Sequence, residues 1–441
     1  MSILTEEIIE NNDINIINKE KFGEVHTPFY FINDMLDKIP SQYFKDPTLK
    51  WLDIGSGRGN FSIILFKKLN NSLKDVIPIS EIRKKHIISK MIFMIEINYE
   101  NIRRLKYIFG ENSNIIYANF LTYCFDFTPD IIIGNPPFNI DSLIKVPTNQ
   151  LSDKKQDGKN AWVPFILKSL NILPKNGLLN VIIPSIWMKP DKAEMYETLT
   201  SFQIEKLHTY NCSKTKKIFN GFAQTPTCSF LLKKTLNESK KIELYDDFIK
   251  KYVIFSIVDK YPIPLEYPSI VDKIIKISKK YPNLPIKKTN MPPKNVNLSV
   301  EKTDIFHYKN ISTYIQKEPY LIIKYSDKPL VYNNQPKIVL AHKMYGLPYL
   351  DLKGEYGICN RDNYVISDKN NDELSIIYFY LNHPVMYFLY ETTRYRMRYL
   401  EKYAFQFIFD FSRVFQNTNQ CLYTFFRLNQ NEIDFIKTFN K

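Results

Sequence analysis

Over the first 240 residues, short apolar runs alternate with stretches of helical period. Trp51 to Ile54, Met91 to Glu96, Asn114 to Phe120 and Asp130 to Gly134 are apolar runs bounded by turn residues, and each reads as a buried strand. After the first of them, Phe61, Ile64, Leu65 and Leu69 recur at helical spacing. Strands alternating with helices predict an α/β fold built on a mostly parallel, doubly wound sheet. Beyond about residue 240 the alternation fades. A segment rich in Lys and Pro, from Lys279 to Lys294, reads as a hinge or surface crossing. Pro336 to Ala341 and Tyr364 to Ile366 read as strands, with turns at Tyr345 to Tyr349 and Asp351 to Gly357, which predicts a C-terminal α+β module. The expected division is therefore 1–240 and 241–441, with no internal repeat.

The chemistry gathers at the strand ends. Asp130 to Gly134 runs directly into Asn135-Pro136-Pro137-Phe138. The two prolines hold the backbone extended there. An Asn side-chain oxygen and a backbone carbonyl at such a site can accept the two hydrogens of an exocyclic amine, localising a lone pair that the ring would otherwise delocalise. Phe138 offers a face on which a planar base can stack. Alone, the tetrapeptide also fits a rigid turn after a strand. Its neighbours narrow the choice. Asp53 precedes a loop with Gly55, Gly57 and Gly59, where glycines let a ligand approach the backbone. A dinucleotide fingerprint would need glycine at position 60, which is Asn, so NAD or FAD fits poorly. Glu96 ends the second strand and can accept ribose hydroxyls. Asn119-Phe120 ends the third and can hold an adenine ring.

In order and spacing these motifs resemble those of the gamma-class N6-adenine DNA methyltransferases, especially the stand-alone methylases and the methylase part of type IIG restriction-modification enzymes. The resemblance covers residues 20–235. It implies a Rossmann-like methyltransferase sheet, S-adenosyl-L-methionine as cofactor, and a C-terminal DNA target-recognition domain. Phe22 to Phe29, with Thr27 and Pro28, matches the segment that opens the fold and covers the methionine moiety. Asp53, Gly55, Gly57 and Gly59 match the cofactor loop, Glu96 the ribose-binding acid, and Asn119 and Phe120 the adenine-pocket pair. The family more often has Asp at positions 96 and 119, and many members have Tyr at 138. Ala161 to Leu170 looks like the helix behind the cofactor, and Gly177 to Ser185 and Cys228 to Leu232 like further strands. Within Lys217 to Thr225, Phe219 or alternatively Phe222 would contact the flipped base. By this likeness Asn135, Pro136, Pro137, Phe138 and Phe219 are the catalytic set, and no metal is needed.

Composition sets outer limits. A net charge of +14 over 441 residues favours a polyanionic partner, although abundant Lys, Ile and Asn also suit an A+T-rich genome. Arg394, Arg396 and Arg398, interleaved with Tyr395, Met397 and Tyr399, are the expected DNA-contacting zone; on a strand the three would share a face. The five cysteines lack metal-ligand spacing, and no run reaches transmembrane length, so an intracellular protein with reduced thiols is expected. Duplex DNA is the expected partner, with a monomer acting on it. A separate cognate restriction endonuclease is allowed for, since about twenty residues ahead of the first motif leave no room for a fused nuclease. The competing readings are RNA adenine methylation, glutamine-amide methylation, and a catalytically silent cofactor- or nucleic-acid-binding subunit.

Overall fold

A computed structural model describes residues 25–139, 160–190, 194–258, 261–315, 321–342, 348–396 and 399–440. Phe22 to Glu24, residues 345–347 and Arg398 lie outside them. The chain forms two compact units, one of Met1–Tyr245 with Lys250–Val258, the other of Asp246–Ile249 with Asp259–Lys441.

The first unit is built on one nine-stranded sheet. In chain order its strands are β1 (Trp51–Ile54), β2 (Ile92–Glu96), β3 (Asn114–Tyr117), β4 (Ile131–Gly134), β5 (Leu178–Pro184), β6 (Phe202–Tyr210), β7 (Thr227–Leu236), β8 (Lys241–Asp246) and β9 (Lys251–Ser256). Their spatial order is β3-β2-β1-β4-β5-β7-β6-β8-β9. The first five run parallel, and β7 enters antiparallel beside β5. Ile131 and Ile133 join a core cluster with the helices Phe29–Leu36 and Asn60–Ser72, while the alternate residue Ile132 is equally buried on the opposite face. Burial on both faces is why these strands read as continuous apolar runs. The α/β expectation is met.

The progression of the strand order reverses between β1 and β4, and an open parallel sheet leaves a crevice at the carboxyl ends there. The register Trp51↔Ile131 and Asp53↔Ile133 brings the end of β1 beside the end of β4. Ile54 lies level with Ile95 of β2. The third strand is shorter than its apolar run, because the chain turns at Asn119. That carbonyl accepts from Thr122 N at 3.1 Å, and its Oδ1 accepts from Leu121 N at 2.9 Å.

The second unit is α+β. It holds two four-stranded sheets, whose inner residues Ile311, Ile358, Val339 and Val365 form a common core. The run from Lys337 to Ala341 and the one from Asn363 to Ile366 are strands. The Lys- and Pro-rich segment runs mostly exposed, as a surface crossing does, with Lys287–Lys288 pairing with Asn363–Ile366 and Leu284 N donating to Ile408 O at 3.0 Å. One expectation is corrected. Pro348–Asp351 is a strand, because its backbone pairs with Lys337–Leu340.

Candidate active site

The glycine loop is held from both sides. Ser56 N donates to Ile95 O at 3.1 Å, and Ser56 Oγ donates to Asp53 O at 2.9 Å. Gly57 N donates to Glu96 Oε2 at 2.7 Å. Gly59 caps the helix Asn60–Ser72 with φ of 90°, and a Cβ there would lie 2.7 Å from Leu105 Cδ2. Glu96 Oε1 accepts from Ile97 N at 3.0 Å and from Asn98 N at 2.7 Å. Burial pushes its pKa up against the pull of these amides. The strand-end carboxylate thus shapes the loop that would contact a ligand.

The Asn-Pro-Pro-Phe motif is anchored in a similar way. Asn135 Nδ2 donates to Thr27 Oγ1 at 3.1 Å and to Val25 O at 3.3 Å. Asn135 Oδ1 is shielded from solvent and has no hydrogen-bond partner among the described residues. A backbone carbonyl can only accept, so the amino side of the carboxamide must face Val25, which turns the oxygen the other way. Phe138 O accepts from Ala161 N at 3.1 Å, which fixes the far end of the motif to the start of the helix Trp162–Ile172. Pro136 is buried and Phe138 is half-buried, packed against the core cluster.

These elements enclose a cavity of about 260 Å³. Thr27, Gly55, Gly57, Glu96, Asn119, Phe120, Asn135 and Pro137 all line it. Phe120 stacks on Phe165, with ring centroids 5.0 Å apart, so the wall beyond β3 is aromatic. His26 and Arg58 add the polar side. Burial, then the charges of Arg58 and Arg104, pull His26 down to about 4, so it is neutral at neutral pH. A larger cavity of about 710 Å³ is lined by Lys38, Phe44, Lys206 and Glu243 among others and contains none of the motif residues. Among the described residues no cluster of His, Cys, Asp or Glu is placed to hold a metal ion, and no helix is long and apolar enough to cross a membrane.

Five residues expected at the site are absent from the cavity lining: Pro136 and Phe138, placed above, and three more. Asp53 does not line the cavity: it is 1 % exposed and accepts Ser62 Oγ at 2.7 Å, which ties β1 to the following helix. Burial pushes its carboxyl up to about 7. Pro28 caps the helix Phe29–Leu36, its carbonyl accepting from Ile32 N at 3.0 Å. Phe219, the first choice for the second base-facing aromatic, is 2 % exposed and belongs to the core beside Phe31. Phe222, the alternative, is half-buried.

Other cavity residues escaped sequence reasoning. Asn60 counted there only against a dinucleotide site, yet it lines the cavity and its Nδ2 donates to Thr27 O at 3.0 Å. Outside the cavity lining, Gly134 is the strand end its run predicts, and a Cβ on it would lie 2.8 Å from Ile54 O. In the second unit, Arg394 and Arg396 sit on neither helix nor strand. They flank the buried Tyr395, whose hydroxyl donates to Ile263 O, and pair with Glu391 at 2.5 Å and Glu401 at 3.6 Å respectively. The shared face that a strand would give is therefore absent at these two positions.

A crevice at the switch point of a parallel sheet, with a glycine loop, a strand-end acid and an extended Asn-Pro-Pro-Phe, defines an α/β protein equipped for a nucleotide-like cofactor. Residues 60–219 match the Eco57I restriction-modification methylase family, in agreement with the resemblance carried by the motifs. The chain is 24 % identical over 258 residues to a Mycoplasma pneumoniae protein described as an uncharacterized adenine-specific methylase, covering 41 % of this chain and 59 % of that one. Among solved structures, it is similar to the DNA complex of the type IIL restriction-modification enzyme MmeI, at 12 % identity and a TM-score of 0.48 over 88 % of this chain and 68 % of that one. It is also similar to a modification subunit of a putative type I restriction enzyme from Vibrio vulnificus, at 16 % identity and a TM-score of 0.37, covering 52 % of this chain and 49 % of that one.

Proposed function

We propose that this protein transfers a methyl group from S-adenosyl-L-methionine to the N6 amine of a flipped adenine in duplex DNA. The observation that carries the reading is the buried, unpartnered Oδ1 of Asn135, aimed by the two hydrogen bonds on its amino side. A shielded acceptor without a donor costs about 1–3 kcal/mol, a cost that an incoming N–H removes. The family match over residues 60–219 and the adenine-specific relative support the same chemistry.

The cavity residues suit the cofactor by their donor set. Glu96 retains acceptor capacity for ribose hydroxyls beyond its backbone contacts, Phe120 and Phe165 wall an adenine, and the glycine loop admits close approach. When bound, the cofactor supplies an electrophilic methyl group on a positively charged sulfur. Asn135 Oδ1 and the Pro136 carbonyl accept the amine hydrogens, Pro136 and Pro137 hold these acceptors in place, and Phe138 stacks on the base. Phe222 replaces Phe219 as the second aromatic. The second unit serves as the target-recognition part, with Arg394 and Arg396 offered to DNA phosphates.

The test is transfer of labelled methyl to separate duplex DNA, RNA and protein samples, followed by nucleoside analysis. N6-methyladenine in the DNA alone is expected. Label in RNA or protein overturns the substrate. Asn135→Ala should lower the rate by about 10²- to 10³-fold and leave cofactor affinity within a few-fold; an active variant overturns the assignment.

A further inference from the structure

We infer that Thr27 is a positioning residue for the reaction, and that its hydroxyl holds the Asn135 carboxamide in the orientation that the Val25 carbonyl selects and methyl transfer needs. This rests on the function proposed above and assigns Thr27 a role beyond cofactor contact. The terminal torsion of Asn is soft, and its two ends have nearly the same shape. Only one orientation presents the oxygen to an amine. The Val25 carbonyl selects it, and the Thr27 hydroxyl, which can accept or donate, holds it at a second point. The Val25 carbonyl, 3.3 Å from Nδ2, has no hydrogen to give and opposes a flipped amide. Thr27 Oγ1, 3.1 Å from Nδ2, accepts its other hydrogen. With both occupied, the amino end has no hydrogen left to offer elsewhere, and the carboxamide plane is fixed at two points.

Thr27 is itself immobilised. It is 3 % exposed, and its carbonyl accepts from Asn60 Nδ2 at 3.0 Å. Asn60 is the first residue of the helix that follows the glycine loop. The Thr27 side chain therefore reaches the catalytic motif, while its backbone reaches the loop that bounds the cavity. Through one residue, the amide at the end of β4 is referenced to the segment that follows β1. Removing the hydroxyl leaves a buried N–H unpaired and the carboxamide held at one point. The loss should appear in the chemical step, where misplacement of an acceptor matters most.

The experiment compares Thr27→Val, which removes the oxygen at nearly constant shape, with Thr27→Ser, which keeps it. Thr27→Ala stands in if the valine variant does not fold. Single-turnover methyl transfer to duplex DNA, cofactor affinity and crystal structures are read for each. T27V should lose about 10- to 100-fold in rate with cofactor affinity changed less than about threefold, and T27S should recover most of the rate. Equal rates for T27V and the wild type, or equal impairment of T27S and T27V, would overturn the role of the hydroxyl. A fall in cofactor affinity matching the fall in rate would make Thr27 a cofactor ligand only. If the wild type methylates no DNA, the functional reading fails. The structures still decide Thr27: a turned or disordered Asn135 carboxamide in T27V supports the inference, and an unchanged one overturns it.

Discussion

Gly134→Ala tests whether the close approach of β1 and β4 sets the geometry of the motif. Gly134 is the last residue of β4 and adopts φ of 146°, a conformation that side chains rarely accept. The added methyl would lie 2.8 Å from Ile54 O, 3.1 Å from Ile54 Cγ1 and 3.4 Å from Ile54 N. Two of those three atoms are backbone, and Ile54 is the last residue of β1, so no flexible side-chain tip can swing aside. Backbone strain of about 1–3 kcal/mol adds to overpacking of about 1–3 kcal/mol. The sum, about 2–6 kcal/mol, should lower the melting temperature of the unit by about 4–24 °C. Relief requires the strand ends to move apart, carrying Asn135 away from the glycine loop; a displacement approaching 1 Å costs on the order of 100-fold in rate. Calorimetry gives the first number. Single-turnover methyl transfer well below the melting transition gives the second. A variant that melts with the wild type and transfers at the wild-type rate would refute the argument.

Two further outcomes follow from the displaced residues. The Asp53 carboxyl is raised from an ordinary 3.8 to about 7, so the folded protein holds this proton more tightly than the unfolded chain. Its contribution therefore turns unfavourable as pH rises from about 4 to 7, and the full penalty, about 4 kcal/mol, applies above 7. Asp53→Asn should then be the more stable protein in denaturant melts above pH 7, with the difference closing toward pH 4; a difference independent of pH would contradict this. Phe219→Ala should cost about 3–5 kcal/mol in stability, as expected of a core phenylalanine. Phe222→Ala should instead lower the rate with little change in melting temperature, and the opposite pattern for the pair would return Phe219 to the site.

Much of the first unit was legible in the sequence because burial on both faces of a parallel strand writes an uninterrupted apolar run. Trp51 to Ile54, Ile92 to Glu96 and Ile131 to Gly134 are strands where their runs predict them, and their polar or glycine ends mark the edge where ligands bind. Helical periodicity likewise placed the helix Asn60–Ser72. The second unit was less readable. Its short strands pair within two small sheets, and the Lys- and Pro-rich segment gives no period that announces the pairing of Lys287 and Lys288. Alternation of Arg and Tyr suggested a strand face, but Tyr395 is drawn inward by its bond to Ile263 O, and the neighbouring arginines follow the turn.

Residue identity alone determined which side chains have the right chemistry: an amide and two prolines after β4, an acid at the end of β2, glycines after β1. Side-chain direction and the partners across the chain were decided by the tertiary structure. Asp53 and Glu96 are both acids on adjacent strands, yet one turns to Ser62 behind the wall while the other lines the cavity. Phe219 and Phe222 are three residues apart, and only packing against Phe31 distinguishes them. The orientation of Asn135 depends on Val25 and Thr27, 110 and 108 residues away in the chain. Such contacts are non-local, and no local pattern records them: a hydrogen bond selects a geometry only once the fold has brought its two ends together.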